Sequence, residues 1–280
     1  MPRQESSVRF EANTRLLRDG QDGPTKAQGS APAPYKERPM LLRVGNCEAE
    51  AKVVALMSTP RLCFSDNFFC VSQALTPHKI PLVKHTGAFW GQCLQRSMES
   101  VVNDYDVILT IDYDSIFTAR TVEALVTLLY FSGVDAIAPL QQKRESNSVM
   151  FALPNVSPDD TTTVEDDWFS KPVQPVETAH FGCSLFRTAA LKKVQKPWFL
   201  AHANDAGEWT GGHVDEDIHF WKSWAKAGNT AGMATQIAIG HAELMITWPS
   251  REAEAGKIHQ HTTDYWNSNT PPEKAWGIVK

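Results

Sequence analysis

Two carboxylates one residue apart, Asp112 and Asp114, end the apolar run Val107-Ile108-Leu109-Thr110-Ile111. A short run rich in β-branched residues has the composition of a strand buried on both faces of a parallel sheet. Open α/β sheets bind ligands outside the carboxyl ends of their strands, so this pair stands where a site is expected. Two neighbouring hard oxygen donors suit Mg²⁺ or Mn²⁺. The competing reading is that one of the aspartates merely caps the helix expected over residues 118–130. The strand-end D-x-D spacing favours a metal or nucleotide-diphosphate role over a cap.

Two later features carry similar chemistry. Asp215-Glu216-Asp217 opens a predicted helix, where the helix dipole favours acids and Asp215 is a natural N-cap. Capping does not account for three acids placed after Trp209-Thr210-Gly211-Gly212-His213, a loop whose glycines let it approach a ligand. His241 closes the last predicted strand; alone it reads as a histidine bonded to backbone, and beside the carboxylates as a metal ligand.

The order strand–loop–helix, D-x-D after a central strand, Gly182-Cys183-Ser184-Leu185-Phe186-Arg187, an E-D at a helix start and a late strand with His resembles a GT-A fold glycosyltransferase, family-2-like, over roughly residues 50 to 246. The resemblance implies a nucleotide-sugar donor, UDP- or GDP-linked, with Mn²⁺ or Mg²⁺ bridging its diphosphate to Asp112 and Asp114. It maps His241 onto a further metal ligand and Glu216 and Asp217 onto the E-D motif that supplies the base of inverting members. Ser58-Thr59-Pro60-Arg61 corresponds to the loop that contacts the nucleobase, with Thr59 and Arg61 as donor-binding candidates.

The chemistry is coherent on physical grounds. Charge builds on the leaving diphosphate, and a divalent cation stabilises it as a Lewis acid. An acceptor hydroxyl titrates far above neutrality, so an inverting displacement needs a carboxylate within reach of its proton, whereas a retaining enzyme would use these acids only to hold acceptor hydroxyls; the sequence leaves the stereochemistry open. Asp217 is the first choice and Glu216 the second; Asp215, the better cap, is left to hold acceptor hydroxyls. Asp114 is expected to bind the metal directly, with Asp112 acting through water or on the ribose. Arg96 is in position for the base or phosphate, against the plain reading as a solvated helical arginine. Trp209 is a candidate acceptor platform, whereas Trp221 and Trp224, three apart, are expected to pack their helix. His180 and Gly182 are placed on the acceptor side, and Lys257, His259 and His261 in a segment able to close over the diphosphate. The acceptor class is open: a glycan, a lipid-linked sugar, a protein or a modified DNA base all present a hydroxyl. A nucleotidyltransferase usually carries a Gly-rich, basic phosphate loop after its first strand, which Ser58–Arg61 is not. A catalytically silent nucleotide- or sugar-binding module would need neither base nor metal set.

Strands are expected over 52–57, 80–85, 107–112, 135–139, 180–186 and 235–239, and helices over 66–74, 87–102, 118–131, 188–194 and 215–227. That alternation predicts an α/β fold, a GT-A (Rossmann-like) mostly parallel sheet flanked by helices with a small antiparallel acceptor-side region. Residues 1–38, rich in Arg, Gln, Gly, Ser and Pro, read as a disordered tail, 39–246 as the domain and 247–280 as a tail or lid. Residues 140–178, with their prolines and acidic residues, read as a long excursion or as short antiparallel strands, of unassigned role. Over 280 residues the net charge is −5, which argues against a generally basic nucleic-acid surface. No run reaches the ~18 apolar residues of a membrane span. The 5 cysteines lack C-x-x-C spacing and fit reduced thiols of a cytoplasmic protein.

Overall fold

A computed structural model describes residues 39–44, 47–59, 63–144, 148–154, 166–250 and 256–275. The tail expected over 1–38, and Arg61 with Pro60, lie outside the described residues. The chain forms strands β1 (Met40–Val44), β2 (Cys47–Ala51) and β3 (Val53–Thr59), helix α1 (Ser65–Leu75), β4 (Leu82–Thr86) and α2 (Trp90–Val101). Then come β5 (Val107–Asp112), β6 (Ser115–Ile116), α3 (Ala119–Ser132), β7 (Ala136–Gln141) and the short strands β8 (Phe151–Ala152), β9 (Val173–Pro175) and β10 (Thr178–Ala179). β11 (Cys183–Arg187), α4 (Thr188–Leu191), α5 (Glu216–Lys226), β12 (Ala231–His241), β13 (Met245–Pro249), β14 (Lys257–His261) and α6 (Thr262–Ser268) complete it.

The central sheet runs in the order β4-β3-β5-β11-β7-β12-β6, with β9 also on β12. β4, β3 and β5 are mutually parallel, as are β7 and β12. This is the expected α/β class with a mostly parallel sheet. Strand side chains alternate between two cores, as the two-residue period requires. Val53, Ala55, Met57, Val107, Leu109 and Ile111 face α1 and α3. Val54, Leu56 and Ile108 face α2 and α5. Val122, Leu125, Val126 and Leu129 form the buried stripe of α3, spaced as an amphipathic helix demands. Trp221 and Trp224 are buried in the second core with Phe186 and Phe220, so they pack α5 as expected.

Three features depart from the sequence reading. β11 runs antiparallel between β5 and β7, because the 140–178 excursion, unlike a helical crossover, returns the chain in either direction. β1 and β2 pair as an unforeseen antiparallel hairpin. The β13–β14 hairpin begins at Met245, before the boundary expected at 247, and α6 follows it. No helix among the described residues is long and apolar enough to cross a membrane. Cys63, Cys70, Cys93 and Cys183 are free thiols.

Candidate functional site

The helix after the D-x-D is capped by Thr118, whose hydroxyl accepts from the Thr121 N–H in a capping box. Both aspartates are thereby left out of the cap. β6 follows them at once and pairs antiparallel with the end of β12, setting His241 opposite Ser115. The Ala242 N–H donates to the Asp114 carbonyl at 2.7 Å, closing the same corner. His241 Nε2 consequently lies 3.3 Å from Asp114 Oδ2. Its other nitrogen, Nδ1, lies 2.9 Å from the Gln142 carbonyl oxygen, which only accepts; Nδ1 therefore carries hydrogen and Nε2 is the atom presented to Asp114. Burial opposes charge on this imidazole, but the bonds to Asp114 and Gln142 outweigh it and hold the pKa above its ordinary value. Arg144 Nη1 approaches the same oxygen of Asp114 at 3.4 Å.

Asp112 points elsewhere. Its Oδ1 accepts the Trp90 indole N–H at 3.1 Å. Burial raises its pKa to about 6, the Trp90 bond opposes the rise, and the charge of Asp114 adds to it. Beside Trp90, the Gly91 N–H in the first turn of α2 donates to Glu216 Oε2 at 3.0 Å. The start of α2 thus joins the D-x-D to the acidic start of α5 through adjacent residues. Gly91 is required there, since a Cβ would meet Glu216 Oε2 at 2.7 Å and Phe199 Cβ at 2.8 Å. Glu216 is committed to a helix terminus, where a carboxylate is favoured. Asp217 is half-buried; burial raises its pKa, and the neighbouring charges of Asp215 and Glu216 push the same way. A carboxylate with a raised pKa is the better proton acceptor near neutrality.

Among the described residues, no three His, Cys, Asp or Glu side chains gather to hold a metal by themselves. Asp114 and His241 nevertheless fit as a partial set. Two bonds of about 2.1 Å meeting at a right angle place their donor atoms about 3 Å apart, close to the separation found here. The carboxylate oxygen is a donor of the kind that suits Mg²⁺ or Mn²⁺, and the imidazole nitrogen one more typical of later first-row metals.

The other predicted residues are distributed around this corner. Asp215 holds the N-cap position of α5 without a side-chain cap bond, and its carboxylate instead meets His213 Nε2 at 3.3 Å. The Trp209 ring lies 6.4 Å from that of His213 and is 60% exposed. Gly182 is buried beside the D-x-D strand, its carbonyl accepting the Asp112 N–H at 3.3 Å. A Cβ there would strike Gln141 and sit 2.6 Å from Ser115 Oγ, so close packing explains this glycine. His180 donates from Nε2 to the Pro139 carbonyl at 2.7 Å and accepts the Gly182 N–H at Nδ1 at 3.0 Å; burial lowers its pKa to about 4. Thr59, at the end of β3, is buried and bonded to Thr86. Arg96 is exposed on α2 and acts on Glu99. Lys257 is exposed opposite Pro249, at the other end of its hairpin from His261, which meets Glu243 at 3.1 Å.

The sequence reading did not single out Trp90, Asn67 or Arg144. Asn67 is fully buried, and its Nδ2 donates to the carbonyls of Asp112 at 3.0 Å and Ser115 at 2.6 Å, bracing the D-x-D turn from α1. A signal was available: Asn67 shares the i, i+4, i+7 stripe of Val71 and Ala74, a polar residue on an apolar face. Trp90 and Arg144 carry no comparable local signal.

No family model matches the chain, and no curated protein is significantly similar to it in sequence. Among solved structures, A197 from STIV is 14% identical, with a TM-score of 0.46 over 67% of this chain and 85% of that one. GalNAc-T7, solved with UDP, GalNAc and Mn²⁺, is 9% identical, with a TM-score of 0.45 over 69% of this chain; the matched region spans 44% of the GalNAc-T7 chain.

Proposed function

We propose that this chain is a glycosyltransferase of GT-A type, moving a sugar from a UDP- or GDP-linked donor to an acceptor hydroxyl with inversion, and using Mn²⁺ or Mg²⁺. The observation that carries the reading is the facing pair Asp114 and His241, with the histidine oriented through Gln142 so that its Nε2 is presented to the carboxylate. A buried carboxylate and an imidazole set in this way at the carboxyl rim of a parallel sheet suit a cation that serves a diphosphate.

When bound, the metal supplies Lewis-acid stabilisation of the leaving diphosphate. Asp114 and His241 would hold it; Asp112, kept in place by Trp90, would accept from the ribose or a metal-bound water. Asp217 takes the proton from the acceptor hydroxyl as the acceptor oxygen bonds to the anomeric carbon and the carbon–oxygen bond to the diphosphate breaks. Its partial burial supports that role, because desolvation makes a carboxylate more basic. Glu216, through the α2 terminus, keeps α5 and its acids in register with the D-x-D. Trp209 is the acceptor platform on this reading, with Asp215 beside it through His213.

The test is nucleoside-diphosphate release from a panel of UDP- and GDP-sugars, with and without Mn²⁺. Wild type should turn over only with metal, and Asp114→Ala and Asp217→Ala should each reduce turnover by at least 100-fold. Undiminished release from both variants would remove these assignments.

A further inference from the structure

We infer that Arg144 is a built-in cation that occupies Asp114 before the metal arrives and then transfers to the donor diphosphate. The inference rests on the reading of the site given above, and assigns a further donor-binding residue to it. Asp114 is 3% exposed, and two basic side chains converge on one of its oxygens. His241 is the inner one, its side chain 10% exposed; Arg144 is the outer one, 50% exposed. Arg144 follows the end of β7, a strand in the same orientation as β5, so it lies on the rim of the sheet that carries the D-x-D. Its Nη1 also donates to Tyr113 Oη at 3.4 Å, and Tyr113 is stacked on Phe64. The central residue of the D-x-D thus holds the guanidinium beside the carboxylate.

The chemistry of the three partners sets the order of events. A buried carboxylate is costly without a positive partner, and Arg144 supplies one in the metal-free protein. A divalent cation and a guanidinium on the same oxygen repel one another, so metal binding at Asp114 weakens the hold on Arg144. The contacts of Arg144 with Asp114 and with Tyr113 are both 3.4 Å, long for hydrogen bonds, and its side chain is 50% exposed, so the hold of these two partners is weak. The released guanidinium lies beside the expected diphosphate position, and its planar fork matches phosphate oxygens in pairs. The same residue therefore opposes metal binding alone and favours the nucleotide after the metal is in place.

The opposed signs make the assignment testable by binding alone. Mn²⁺ affinity is measured by electron paramagnetic resonance without nucleotide, and UDP and GDP affinities by calorimetry in saturating Mn²⁺. Arg144→Gln should bind Mn²⁺ at least threefold tighter than wild type and the preferred diphosphate at least tenfold weaker. Arg144→Lys should return Mn²⁺ affinity to the wild-type value and recover only part of the diphosphate affinity. A damaged fold would weaken both ligands together, so a change of both in one direction overturns the assignment, as does the absence of either shift. If wild type binds Mn²⁺ and a diphosphate but Arg144→Gln alters neither, the role of Arg144 alone falls. If wild type binds neither, the reading of the site falls and this inference with it.

Discussion

Asp112 and Asp114 are two residues apart and have different surroundings. Asp114 is met by basic side chains, whereas Asp112 is held by an indole N–H and has a pKa raised to about 6 chiefly by burial. In the metal-free protein its ionised form is lost as pH falls through about 6; a dication on Asp114 lowers that pKa, so diphosphate affinity in Mn²⁺ should fall over a range displaced below pH 6. Trp90→Phe removes the bond that favours the carboxylate and should move that midpoint upward, measured by calorimetric titration at a series of pH values; a downward shift would refute the role of the indole. The two acids of α5 should separate equally clearly. Asp217→Asn should lower kcat by about 10²- to 10⁴-fold with donor affinity retained. Glu216→Ala should instead cost about 1–2 kcal/mol of stability in urea denaturation, the scale of a lost helix-terminus contact. The types of these residues were legible in the sequence; the partners that divide their roles, Trp90, Gly91 and Arg144, come from remote segments and were not.

At the level of elements, the site depends on three junctions at one rim of the sheet. β6 brings the chain from the D-x-D onto β12, β11 brings Gly182 against β5, and the first turn of α2 meets the first turn of α5. The β11 junction has no spare volume, because a Cβ on Gly182 would press on Ser115 Oγ and on Gln141, itself bonded to Ser115. Gly182→Ala should destabilise the protein by about 1–3 kcal/mol, as overpacking of a filled interior does. A denaturation midpoint equal to that of wild type would show that the corner can relax. The helices α1, α2, α3 and α5 were readable because each carries a buried stripe at helical spacing. The direction of β11 was not, since an apolar strand has the same composition whichever way it runs. β6, at two residues, is too short to show any period.

For the whole molecule, the clearest pH signature is that of His180, which ties Pro139 on β7 to Gly182 at the start of β11. Burial lowers its pKa to about 4 from an ordinary 6.5, so the unfolded chain takes up the proton first. Its contribution to stability is fully present above pH 6.5 and is lost as pH falls towards 4. Asp112 acts in the opposite sense: its raised pKa makes the folded state gain stability relative to the unfolded as pH falls from about 6 towards 3.8. Comparing wild type with His180→Gln by chemical denaturation at pH 7 and pH 5 isolates the histidine, and the variant should show the smaller loss of stability on acidification. The sequence by itself determined the alternation of strands and helices, the buried central strand and the carboxylates at its end, because burial imposes periods of two and 3.6 residues on a local stretch of chain. Only the tertiary structure decided that His241 faces Asp114, that Asp112 turns to Trp90, that Glu216 meets the start of α2 and that Arg144 approaches Asp114. Those outcomes depend on strand order and register between segments as many as 125 residues apart, which no local pattern encodes.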